Sequence, residues 1–141
     1  MAAVYDGLGV RFEYPESWIL DEEDAVSGSQ SVSVYSPEGA FWTIVIHPPR
    51  ADGQALLDAT LDAMREEYDE LDVEPIEEAI GRRATVGYDF NFYCLDLTSS
   101  ARVRCVDTPA AMLLVFYQAE DREWERIEPV FKAMTTSLLG E

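Results

Sequence analysis

Apolar residues in this chain change their spacing along its length, and that change narrows the folds open to it. Leu57, Leu61, Met64, Tyr68 and Leu71 step by four, three, four and three, while Trp124, Ile127, Phe131, Met134 and Leu138 step by three, four, three and four. Each set is a single stripe along an amphipathic helix that must lie against a core. Elsewhere the spacing is two, or the run is continuous, as strands require. Val10-Arg11-Phe12-Glu13-Tyr14 alternates and stops at Pro15, and residues 31–36 alternate again. Residues 41–47 form a nearly unbroken apolar run before Pro48-Pro49. Strand character returns over 73–80, 85–97, 101–106 and 111–118. Two helices among many strands predict an α+β fold: a twisted, mainly antiparallel sheet of about six or seven strands sandwiched by helices. At 141 residues with no repeat or linker, residues 1–141 form one domain.

Local chemistry refines this outline. Ser36-Pro37-Glu38-Gly39 has the composition of a hairpin bend. Asp52 is placed to cap the first helix. Pro129 falls inside the second stripe, where a missing backbone donor predicts a kink or a restart. Gly87 predicts a bend or bulge in a long strand.

Charge limits the partners. With 28 acidic residues against 10 basic ones the net charge is −18, which disfavours nucleic acid and anionic membranes and favours basic proteins or cations. The acids are clumped. Asp21, Glu22, Glu23 and Asp24 form one run, read as a loop, and Glu66 to Glu78, including Glu67, Asp69 and Glu70, form another without a base. Asp21 to Asp24 with Glu66, Glu67, Asp69 and Glu70 are the candidate surface for a basic, or apolar-and-basic, protein partner. Nothing in the spacing of the acids matches a calcium loop, so no metal or other cofactor is expected, and calcium stays only as an accessory reading. The opening Met1 to Asp6 lacks a basic segment leading an apolar one, which reads as a cytoplasmic chain.

Chemistry-bearing residues are few. His47 is the single histidine, without a local acid or nucleophile to work with, so a catalytic centre is not expected. Phosphate-binding glycines, the nucleophile elbow and zinc spacings are all missing. His47, Trp42, Arg102 and Arg104 are retained as candidate ligand or surface contacts beside a sheet-edge cleft. Trp42 either packs inside or, if exposed near Tyr93 or Tyr117, forms an aromatic docking patch. The arginines pair with the acidic surface or hold a carboxylate. A turn centred on Ser99-Ser100 would set Cys94 opposite Cys105, giving two packed thiols or a cross-strand disulfide.

Several of these residues carry a likeness to a known group. Phe12-x-Tyr14-Pro15-x-x-Trp18, Ser36-Pro37-x-Gly39, Gly81, Gly87 and the stretch from Phe131 to Ser137, taken with the element order, resemble the PsbP/Mog-like superfamily. The resemblance implies an α/β/α layering in a small bacterial or archaeal protein. It also implies a habit of binding other proteins, as an adaptor or chaperone, rather than catalysis. It supplies no site residues, since the matching positions are packing and turn positions.

Overall fold

The computed structural model describes residues 2–24 and 30–140. Its strands are β1 (Ala2–Gly7), β2 (Val10–Pro15), β3 (Ile19–Asp24), β4 (Gln30–Tyr35) and β5 (Phe41–His47), followed by helix α1 (Gly53–Glu67). Then come β6 (Leu71–Ile80), β7 (Arg83–Cys94), β8 (Leu97–Asp107), β9 (Met112–Glu120) and helix α2 (Asp121–Leu138). β1 and β2 form a separate two-stranded hairpin. The other seven make one antiparallel sheet in the order β3-β4-β5-β9-β8-β7-β6. This is the expected α+β class.

Each face of the sheet has its own core. One face buries Val32, Val34, Trp42, Ile44, Val115 and Tyr117 under the α2 residues Ile127, Phe131 and Met134, and the β1–β2 hairpin adds Phe12. Here Trp42 Nε1 donates to Thr135 Oγ1 at 3.0 Å, and its ring lies 4.8 Å from that of Phe12. Trp42 is therefore fully buried, and its reading as a surface contact is overturned. The opposite face packs Phe90, Phe92, Ala101, Val103 and Leu114 against Leu57 and Met64 of α1.

Local signals behave as expected in several places. Asp52 caps α1 through Oδ1, which accepts from the Ala55 amide at 3.1 Å. Ser36 and Ala40 close the β4–β5 hairpin, with Gly39 at φ 97°. Elsewhere the structure departs from expectation. Leu71 belongs to β6 rather than to the first helix, whose cap is Tyr68 in an extended conformation. α2 runs through Pro129 as one helix. Gly87 makes no bulge; it pairs with both Ile76 and Arg104 and gives β7 and β8 room to approach. Asp21 to Asp24 are strand, not loop. They lie on the edge strand β3, where acidic side chains discourage pairing with foreign strands. At the other edge, β6 has Pro75 and its own acids.

The largest correction concerns register. The β7–β8 turn is centred on Leu95 and Asp96, both left-handed at φ 51° and 66°, not on Ser99-Ser100. Two such residues make the mirror-image turn whose twist matches that of a hairpin. Cys94 consequently pairs with Leu97, and Cys105 pairs with Val86. Eight positions along β8 put the two cysteine backbones roughly 26 Å apart, far beyond disulfide reach. Cys105 is a buried free thiol whose pKa is pushed up by burial, then by Asp107.

Candidate functional site

The two sheet faces are not covered equally. α2 and the β1–β2 hairpin together close one face. On the other, α1 rests mainly on β7, β8 and β9, with Val45 of β5 and Leu71 and Val73 of β6 at the margin of its core. Strands alternate their side chains, so the outward residues of β3 and β4, with Phe41 and Thr43 of β5, belong to neither core, and only Val45 reaches the one under α1. In register across the strands they form rows: Ile19, Tyr35 and Phe41 in one, Asp21, Ser33 and Thr43 in the next, Glu23, Ser31 and Val45 in a third.

The first row is apolar although it faces water. Ile19 is 71% exposed and Tyr35 41%. The Tyr35 and Phe41 rings lie 6.2 Å apart, and Phe41 stacks on Phe116 of β9 at 5.8 Å. In the second row the hydroxyls of Ser33 and Thr43 are 2.8 Å apart and satisfy one another. Between this half-sheet and the flank of α1 runs a groove of about 670 Å³. Its floor is Phe41, Thr43, Val45 and Phe116, and its helical wall is Leu56, Ala59, Thr60, Ala63 and Glu67. The short side chains at Ala59 and Ala63, both exposed, keep that wall low.

His47 closes one end of the groove. It pairs with Met112 at the strand end, and burial lowers its pKa below the ordinary 6.5. A neutral imidazole that resists protonation destabilises the folded state as pH falls. The unfolded chain takes up its proton near pH 6.5, and the folded one takes it up only lower, so stability is complete above 6.5 and declines below it. Thermal melts of wild type and His47→Gln at pH 7.5 and 5.5 should show a smaller acid-side drop in the variant. Equal drops would assign no linkage to this ring. No group of three or more histidine, cysteine or carboxylate side chains able to hold a metal exists among the described residues.

The arginines are placed elsewhere. Arg104, 1% exposed, lies on the α2 side of the sheet, its Nε bonded to Glu78 at 2.6 Å and Nη2 to Asp89 at 2.7 Å. Its Nη1 also donates to the carbonyls of Tyr88 and Val103. Burial alone would lower its pKa, but Glu78 and Asp89 raise it overall. Arg102 pairs with Glu128 of α2 and with Asp89, and its guanidinium sits 4.8 Å over the Trp124 ring. Burial and these partners use up the Arg104 guanidinium, so a ligand role for it is overturned, and Arg102 is a strap between β8 and α2.

The acidic candidates separate into distinct places. Asp21 and Glu23 border the open rows, and Glu67 stands on the groove wall, whereas Glu22 points to the hairpin side. Glu66 is exposed at the end of α1, and the Asp24 side chain lies outside the described residues. Asp69 and Glu70 line a different cleft, beside the β7–β8 turn. Sequence reasoning missed Tyr35, Phe41, Phe116 and Ile19. The available signal was Ser31 and Ser33: a strand with serine on one face and valine on the other is not covered on both.

No protein-family model matches the chain, and comparison with curated proteins gives no significant match. Solved structures do resemble it. The cyanobacterial PsbP of Synechocystis sp. PCC 6803 aligns with a TM-score of 0.64 at 14% identity, covering 96% of this chain and 90% of that one. PA94, a Pseudomonas aeruginosa protein of unknown function, aligns with a TM-score of 0.52 at 14% identity over 93% and 91% of the two chains. LpqN of Mycobacterium tuberculosis, involved in cell envelope biogenesis, gives 0.52 at 11% identity over 95% and 87%. The fold is PsbP-like.

Proposed function

We propose that this PsbP-like domain is a non-catalytic interaction module, adaptor or chaperone-like, that receives a basic, partly apolar segment of another protein in the groove beside α1. The observation that supports this most is the water-facing row of Ile19, Tyr35 and Phe41, with Phe116 stacked on Phe41 from the next row and Asp21, Glu23 and Glu67 around it. Apolar surface of this kind is stabilised when covered, and a carboxylate rim selects a cationic cover. Helix electrostatics point the same way. Glu66 and Glu67 occupy the last turn of α1, where the macrodipole disfavours anions by about 0.3–1 kcal/mol each. A bound cation would relieve that cost. A module of this sort would work in the cytoplasm of a prokaryotic cell, beside the Mog-like binders of the superfamily. No helix among the described residues is long and apolar enough to cross a membrane.

A groove of this size and apolarity also suits a small molecule, with His47 as its polar contact. One experiment separates the readings. Immobilised wild type and Tyr35→Asp are used to capture proteins from host lysate at 50 and 500 mM salt, and both are melted against a metabolite panel. The interaction reading expects a partner recovered at low salt, reduced at least tenfold by high salt and by Tyr35→Asp. Equal recovery on both proteins overturns it, as does a metabolite that raises the melting temperature of wild type alone.

A further inference from the structure

The β7–β8 hairpin outruns both of its neighbours. Pairing with β6 begins at Phe92 opposite Leu71, and pairing with β9 ends at Ser99 opposite Glu120. Residues 93–98 therefore project beyond the sheet and pair only with one another, Tyr93 with Thr98 and Cys94 with Leu97. The projection carries apolar side chains that folding does not use. Leu95 is 92% exposed, Tyr93 58% and Leu97 38%. Leu95 sits in the left-handed conformation that glycine or asparagine adopts with least strain. A polar residue would serve the turn better, and leucine gains no burial there in exchange.

The base of this finger is acidic. Asp69, Glu70, Asp72 and Asp121 line a cleft of about 600 Å³ whose other wall is Asn91, Tyr93 and Thr98. None of the residues lining it is cationic. Asp121 is held by the Ser100 hydroxyl at 2.6 Å. By register, Asn91, Tyr93 and Thr98 face the α2 side, so the cleft and the groove beside α1 open on opposite faces of the sheet.

We infer that the β7–β8 finger and the cleft at its base form a second docking surface, for a protein segment in which arginine or lysine adjoins an apolar or aromatic residue. The cation enters among the carboxylates with its stem along the Tyr93 ring, and the adjoining apolar residue covers Leu95 at the tip. Charge complementarity selects this occupant over others. A second copy of a chain with net charge −18 and an anionic bilayer are both repelled by the collar around the finger. This surface is independent of the groove reading. With both, the domain bridges two partners.

A displayed library of random dodecapeptides, panned on the wild-type protein and counter-selected on Tyr93→Ser/Leu95→Asn, provides the test. Asparagine suits the left-handed turn, so that variant keeps its fold, which circular dichroism checks. The expected result is enrichment of peptides with arginine or lysine within two residues of an aromatic or aliphatic one. In fluorescence anisotropy the best of these should bind wild type at least tenfold more tightly than the finger variant. Asp69→Asn/Asp72→Asn should weaken binding at least fivefold, and Tyr35→Asp should leave it unchanged. Enriched peptides without cations, or with equal affinity for the finger variant, overturn the proposal. So does finger-dependent flotation with phosphatidylglycerol vesicles, or finger-dependent dimerisation in sedimentation.

Discussion

Arg104→Ala is expected to destabilise the protein by about 3–5 kcal/mol, the usual loss when one member of a buried ion pair is removed. For a chain of this size that corresponds to a fall in melting temperature of about 10–20 °C. The guanidinium is the one buried full charge among the described residues, and it ties β6 through Glu78 to β7 through Asp89. Truncation leaves a void in that layer and removes the Nη1 hydrogen bonds to the Tyr88 and Val103 carbonyls. Arg104→Met should cost about half as much, because volume is kept and Glu78 and Asp89, each partly exposed, rehydrate. Arg104→Lys should fall between, since one ammonium cannot reach both acids in the forked geometry of arginine. Urea unfolding of the three variants measures this. An alanine variant within 1 kcal/mol of wild type would show the network to be idle.

Gly87→Ala should be nearly as damaging, at about 3 kcal/mol, and by a different mechanism. A β-carbon built there would lie 1.8 Å from the Val103 carbonyl oxygen and 2.8 Å from its carbon. Both atoms are backbone of the neighbouring strand, so no rotamer change can make space. The β7–β8 ladder must open at the rung where Gly87 faces Arg104. Because the two sites touch, Gly87→Ala/Arg104→Ala should cost clearly less than the two single losses added together. A Gly87→Ala protein with an unchanged urea midpoint would contradict the close approach.

Both helices were legible because their stripes are long and their partners are apolar. Asp52 marks the start of α1 by its chemistry alone. β3 was hidden because an edge strand can be built from acids: its alternation is between charged residues that face opposite sides, and an apolar period of two never develops. The β7–β8 register was misread because turn composition and turn position part company here. Ser99-Ser100 looks like a turn and is ladder, whereas Leu95-Asp96 looks like strand and is turn. A hairpin register follows its turn, so that single error carried Cys94 and Cys105 together. The parity of β5 was equally beyond reach. Phe41 and Trp42 are adjacent aromatic residues, and only the landing place of α1 decides that the tryptophan is enclosed while the phenylalanine meets the groove.

The order of the sheet has a kinetic meaning. β3, β4 and β5 follow one another as hairpins, and so do β6, β7, β8 and β9, so each set assembles from near neighbours in the chain. The two sets meet along a single seam, β5 against β9, where residues as distant as Phe41 and Gln118 must find each other. Loop closure over such a distance comes late. Zippering of that seam would be the step that commits the molecule, because it joins two halves that had until then assembled apart.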